Sequence, residues 1–254
     1  MDLQDLSMMS LNGIDQGCKV SLKLIADNWE KIEKIDDVRT LEYILNKLYS
    51  HYMSWTERQQ AIKKIFDKVD LTTNEVNKFT FWDPEKAYTR NLVARDPNYK
   101  HYALLLLCWN AGRESKIHNH PCDGCFIKTI RGCIRETRYQ TDPVTKKLKA
   151  TSIKFYNEGQ VSYMDDFIGF HKISNPSKDA GTVSLHLYTP PFTECKVWTN
   201  DESHVHDFEI GKVGFYSVYG NRSPHLEGVP GNSARLLRQI QVFDRKILRD
   251  VKDY

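Results

Sequence analysis

Along the chain the hydrophobic positions change their period twice. From Val38 to Tyr52 they recur at helical spacing, through Leu41, Ile44, Leu45, Leu48 and Tyr49, and predict an amphipathic helix. Ser54 with Glu57 three residues later has the pattern of a capping box, so a second helix is expected to turn Ile62 and Ile65 inward. From Phe79 onward the texture becomes β-branched and aromatic runs divided by turn residues. These predict strands over Ala87–Ala94, Tyr102–Asn110, Cys125–Ile130, Cys133–Gln140, Thr151–Tyr156 and Gln160–Met164. Further strands are expected over Gly169–Ile173, Thr182–Thr189 and Lys196–Trp198, with another pair between His206 and Tyr219. From Asn232 to Tyr254 the helical period returns on Leu236, Ile240, Phe243, Ile247 and Val251, with Ser233 as a candidate cap. Many short strands with no helix between them predict a mainly β fold, an antiparallel barrel or sandwich rather than a parallel α/β sheet. The N-terminal helices are expected as a cover over one side of it, and residues 1 to about 17 as a loose polar tail.

Composition narrows the function classes. A chain of 254 residues with 40% apolar and 27% charged residues has the make-up of an ordinary globular protein. Its net charge of +3 gives no case for a nucleic-acid binder. The residues from Asn221 to Tyr254 hold seven basic and four acidic side chains, so the whole excess lies in the tail. A basic amphipathic helix of this kind can meet an anionic membrane, but packing on its own domain is the expectation. No apolar run approaches the roughly 20 residues that span a bilayer, and the first residues, MDLQDLSMMSLNG, do not resemble a secretory signal. Six cysteines scattered at 18, 108, 122, 125, 133 and 195 point to a reducing, cytoplasmic setting.

The candidate chemistry is concentrated between Trp109 and Gly132, WNAGRESKIHNHPCDGCFIKTIRG. His118 and His120 stand at i and i+2, which on a strand shares one face and can hold one transition-metal ion. Asn119 is then expected to face away, and Gly112 and Gly132 to mark the bends at the ends of a hairpin. Three further pieces matter. In YTRNLV, Tyr88 and Arg90 share a strand face, and an arginine directed into a cavity calls for a carboxylate. GFHKISN supplies His171 with Asn175 four residues on. In SLHLYTPPF, alternation places Ser184, His186 and Tyr188 on one face and leucines on the other. That polar row suits a hydrogen-bonded line in which Ser184 orients His186 and His186 orients Tyr188. His186 remains an alternative third ligand, with Asn175 favouring His171. Two other patterns are set aside. Cys122-x-x-Cys125 has no second pair and no following helix start, and His204-x-His206 lacks the glycine frame and is read as surface loop.

The glycine-framed pair resembles the first motif of the cupin superfamily, with Cys125 where that motif usually has glutamate, and GFHKISN resembles the second without its upstream proline. Taken together, in this order from about Asp36 to about Tyr219, the pieces resemble the type I cysteine dioxygenases. The resemblance implies a cupin-type antiparallel β-barrel or jelly roll over 35–220, with extensions at 1–34 and 221–254 that the family core lacks, the second expected to be helical. It implies Fe(2+) held by His118, His120 and His171, and Arg90, with Tyr88, binding a substrate carboxylate. It further implies a thioether crosslink between Cys125 and Tyr188, with Cys195 at another family position. The implied partners are L-cysteine and O2, the implied product cysteine sulfinic acid, and a monomer is expected. Dioxygenation of mercaptopropionate or of an aminothiol, or a non-catalytic metal-binding cupin, are the competing expectations.

Overall fold

The change of period near residue 79 coincides with a division of the chain into two compact units, a helical one ending at Lys78 and a β-rich one starting at Phe79. The structure, a computed structural model, describes residues 28–98 and 100–222. The expected polar tail at the N-terminus and the expected helix from Asn232 lie outside the described residues.

In the helical unit α1 (Val38–Ser50) starts at Asp37, whose carboxylate accepts the Thr40 N–H at 2.8 Å. It buries Val38, Leu41, Ile44, Leu45 and Leu48, each worth roughly 1.5–3 kcal/mol of transfer from water. The helix stops two residues before the expected end, and Tyr52 is exposed instead of closing the stripe. The Ser54–Glu57 capping box forms as expected at the head of α2 (Trp55–Lys68), which buries Ile62, Ile65 and Phe66. A third helix, α3 (Thr73–Phe79), has no counterpart among the expected elements. Its signal was the same Ser/Thr-x-x-Glu pattern, because the Thr72 hydroxyl accepts the Glu75 N–H at 3.2 Å.

The β unit follows the strand pattern to within a few residues. Its strands are β1 (Tyr88–Arg95), β2 (Ala103–Trp109), β3 (Ile117–His118), β4 (Gly124–Arg131), β5 (Cys133–Thr141), β6 (Leu148–Asn157) and β7 (Val161–Met164). They continue as β8 (Phe170–Ser174), β9 (Thr182–Thr189), β10 (Glu194–Trp198), β11 (Glu209–Lys212), β12 (Ser217–Val218) and β13 (Asn221–Arg222). One sheet runs β13-β12-β1-β2-β9-β4-β7 and the other β11-β10-β3-β8-β5-β6. Leu105, Leu107, Trp109, Cys125 and Ile127 of the first sheet share a core with Ile134 and Ile173 of the second. This is the mainly β, two-sheet architecture that the strand pattern predicted, in the cupin-type form that the resemblance implied. It departs from a purely antiparallel design only at β1 and β12, which pair in parallel.

The expected hairpin from Gly112 to Gly132 is not formed. Its two ends belong to different sheets: β3 pairs with β8 and β10, and β4 with β7 and β9. Gly112 and Gly132 do turn the chain, with φ of 68° and 83°. The strand carrying the first histidine is only two residues long, so His120 lies beyond its end rather than on the same strand.

Gly169 leads directly into β8 with φ of 127°, a region closed to side-chain-bearing residues, and a Cβ there would run into the Tyr139 carbonyl oxygen. Gly169→Ala is therefore expected to destabilise the protein by about 1–3 kcal/mol, seen as a lowered Tm, because the backbone between Tyr139 and His171 has no other way to close. An unchanged Tm would show that this turn relaxes freely.

Candidate active site

The short β3 brings its one histidine against the middle of β8, where His118 pairs directly with His171. The backbone beyond β3 turns, and Asp166 holds that turn: its carboxylate accepts the His120 N–H at 2.6 Å and the Asn119 side-chain amide at 2.8 Å. Asn119 directs its amide to Asp166 and to the Lys196 N–H rather than to the histidines. As a result His118, His120 and His171 offer ring nitrogens within 4.8 Å of one another, with ring centroids 4.7–5.0 Å apart. Among the described residues this is the one group of three or more side chains fit to hold a metal.

Hydrogen bonds fix which nitrogen two of the three rings turn inward. His118 Nδ1 lies 3.0 Å from the Lys116 carbonyl, and His171 Nδ1 lies 2.8 Å from the Glu136 carboxylate. Both partners can only accept, so both Nδ1 atoms carry a proton and both rings turn Nε2 away from these partners. His120 Nδ1 is buried without a partner. Burial, followed by the proximity of His171, pushes His118 down to about 3 and His120 well below the usual imidazole range. Imidazoles are a donor set that suits iron, copper or zinc, and no carboxylate belongs to the group.

Around this cluster β9 supplies the row read from its alternation. Trp109 donates through Nε1 to the Ser184 hydroxyl at 2.8 Å, and Ser184 lies 2.8 Å from His186 Nε2. When the Ser184 proton goes to Nε2, His186 Nδ1–H points toward the Tyr188 hydroxyl at 3.5 Å and the Cys125 sulfur at 3.9 Å. His186, engaged at Nε2 with Ser184, stands outside the three-histidine group. Cys125 and Tyr188 are directly opposed across β4 and β9. Burial, reinforced by each other's proximity for the tyrosine, raises both well above their usual values, so both are protonated at neutral pH. Phe192 packs edge-on against Tyr188 at 5.2 Å and against His120 at 6.1 Å.

Tyr88 and Arg90 occupy one face of β1. The Arg90 guanidinium donates to the Tyr88 hydroxyl at 2.7 Å and stacks over its ring at 4.9 Å, while Tyr88 stacks on Trp109 at 4.4 Å. The titratable groups that act on Arg90 are Tyr88, Tyr188 and Cys195, and Arg90 in turn acts on His118 and His186. Among the described residues no carboxylate pairs with it. His204 and His206 lie near each other, ring centroids 5.1 Å apart, away from this group.

Three participants were not foreseen from the sequence. Glu136 binds His171, Asp166 holds the His120 turn, and Trp109 joins Ser184 to Tyr88. Glu136 had a readable signal, since the strand CIRETRYQT alternates Glu136 with Arg138 on one face. Burial would raise the Glu136 carboxyl, yet the His171 hydrogen bond, Arg138 and Ser162 hold it down at about 2.

Comparison with known proteins places the chain in a family. Residues 33–202 match the family model described as cysteine dioxygenase type I. The chain is 30% identical over 188 residues to cysteine dioxygenase type 1 of Danio rerio, covering 73% of this chain and 90% of that protein. It is 30% identical to the Homo sapiens protein of the same name, over 74% of this chain and 91% of that one. Among solved structures it is similar to a double-stranded β-helix domain protein from Klebsiella pneumoniae, at 14% identity and a TM-score of 0.34, over 54% of this chain and 95% of that one. With a match across most of its length, the chain belongs to the cysteine dioxygenase type I family.

Proposed function

We propose that this chain is a ferrous thiol dioxygenase converting L-cysteine and O2 to cysteine sulfinic acid. The observation that carries the reading is the convergence of three imidazoles with no carboxylate among them. His118, His120 and His171 are the residues that would hold the metal. Ferrous iron bound there would supply a place where a thiol and O2 meet and a path for electrons from sulfur to oxygen. The stoichiometry closes without a co-reductant, since raising a thiol to a sulfinic acid removes four electrons and O2 accepts four.

The chain's own residues have separable parts in this. Arg90 binds the substrate carboxylate, and its bond to Tyr88 keeps the guanidinium from swinging away. Tyr188, held protonated and placed by His186, is a hydrogen-bond donor directed at the reacting groups. The apolar neighbours Ile127, Leu105 and Phe192 keep bulk water out, which strengthens each polar contact inside. All five described cysteines are free thiols, which supports a reducing, cytoplasmic setting. No described helix is long and apolar enough to cross a membrane.

The test is iron analysis together with oxygen uptake on the Fe(II)-loaded protein, comparing L-cysteine, mercaptopropionate and cysteamine. Stoichiometric iron and fastest uptake with L-cysteine are expected. Preference for cysteamine would make it an aminothiol dioxygenase, and no uptake with any thiol would make it a binding cupin.

Cys125 and Tyr188 oppose each other across β4 and β9, which supports a covalent bond between them. A partial thioether is expected to form during turnover, with the two hydrogens and two electrons lost going to oxygen. Peptide mapping after many turnovers should show a linked pair two hydrogens lighter than the sum of its peptides. Unmodified peptides throughout would count against it, and Cys125→Ser should be slowed but not inactive, because the cysteine is not a ligand in this scheme.

A further inference from the structure

Glu136 is one of the most thoroughly satisfied groups in the β unit, and nothing in the proposed reaction uses it. It is 1% exposed, on β5. One carboxylate oxygen, Oε1, takes the His171 Nδ1–H at 2.8 Å. The other, Oε2, accepts from Arg138 Nε at 3.0 Å, from Ser162 at 2.9 Å and from Tyr156 at 3.2 Å, with Arg138 Nη2 2.9 Å away in an ion pair. Arg138 is itself tied down by the Tyr163 carbonyl at 2.9 Å. A buried carboxylate with this many donors has one position and one charge state, and it can serve as a fixed reference for the ring it touches.

The two oxygens are divided by task. The side toward the histidine cluster carries Oε1, and the counter-charge of Arg138 sits behind Oε2. At the cluster the pair therefore presents its negative end. His118 is held instead by a neutral carbonyl, and His120 Nδ1 has no partner. Of the three rings, His171 is singled out for a charged partner.

We propose that Glu136 is a positioning residue that holds the Nδ1–H of His171 and lends the three histidines a negative charge from behind, so that it sets both the metal affinity and the reduction potential of the centre. This rests on the metal-site reading above but not on the identity of the thiol. A negative charge at that distance stabilises a trivalent ion more than a divalent one, so removing it should raise the Fe(III)/Fe(II) potential. Removing Arg138 unmasks the charge and should lower it. A residue that merely filled space would not give shifts of opposite sign.

The experiment uses the full chain, with Co(II) binding measured by competition and the iron potential measured by redox titration in the absence of thiol. Glu136→Gln is expected to weaken Co(II) binding roughly 10- to 100-fold and to raise the potential. A tenfold greater loss of ferric than of ferrous affinity would correspond to about 59 mV. Glu136→Asp should recover part of the affinity, and Arg138→Gln should lower the potential. If Glu136→Gln does not fold, the Glu136→Asp and Arg138→Gln proteins decide the matter by the same two readings. Wild-type Co(II) affinity with an unmoved potential, or shifts of the same sign in Glu136→Gln and Arg138→Gln, would overturn the proposal. Loss of cysteine oxidation in the wild type alongside weakened Co(II) binding in Glu136→Gln would overturn the function instead and leave this assignment standing.

Discussion

His171→Ala is expected to abolish iron-dependent oxygen uptake and to leave the protein without stoichiometric iron. The ring is buried at 1% exposure, its Nδ1 is spoken for by Glu136, and its Nε2 has nothing else to do. Loss of an outer partner of a metal ligand costs roughly 10- to 100-fold in affinity, so loss of the ligand itself should exceed the upper figure. His118→Ala and His120→Ala should behave alike. His186→Ala is the informative control, because His186 is bonded to Ser184 and faces Tyr188 and Cys125 rather than the shared centre. It should keep its iron while losing rate. Full iron in His171→Ala together with loss of iron in His186→Ala would exchange the two assignments.

The second large effect concerns Arg90. In this reading a substrate carboxylate enters a largely buried cavity, where an unpaired charge is costly. Arg90 meets it with a guanidinium already oriented by Tyr88, which is in turn stacked on the fully buried Trp109. Truncating one partner of such a contact costs about 2–5 kcal/mol, or roughly 30- to 5000-fold in kcat/KM. Arg90→Ala should fall by that order with L-cysteine. Cysteamine, which lacks the carboxylate, should be a poor substrate for the wild type and little affected by the change. Tyr88→Phe should lie between, since it keeps the ring stack but loses the hydroxyl acceptor. Steady-state kinetics on both thiols decide it, and equal loss with cysteamine would show that Arg90 supports the fold rather than the carboxylate.

Different parts of the fold were legible to different degrees, for physical reasons. β9 could be read residue by residue because Ser184, His186 and Tyr188 alternate with Val183, Leu185 and Leu187, and the strand lies where expected. The capping box at Ser54 was legible because it is a purely local motif. What could not be read was anything set by distant partners. β3 is too short to show a period, and its position is determined by pairing with β8 and β10, residues more than fifty positions away in sequence. His120 reaches the cluster through a turn pinned by Asp166, so the two rings at i and i+2 come together through a turn rather than along one strand face. Glu136 and Arg138 on β5 have the look of a salt-bridged surface strand, and only the fold shows that their face is the inner one. Arg90 and Tyr88 could be paired from their spacing on one strand, but the approach of Tyr188 and Cys195, from other strands, could not be read from spacing.

In the proposed reaction one O2 molecule is spent on the sulfur of one cysteine. The most direct test is turnover of L-cysteine by the iron-loaded protein under ¹⁸O2, with mass spectrometry of the product. The prediction is cysteine sulfinic acid with both oxygens labelled and drawn from the same O2 molecule. Cystine without label, or sulfinate carrying a single labelled oxygen, would contradict it.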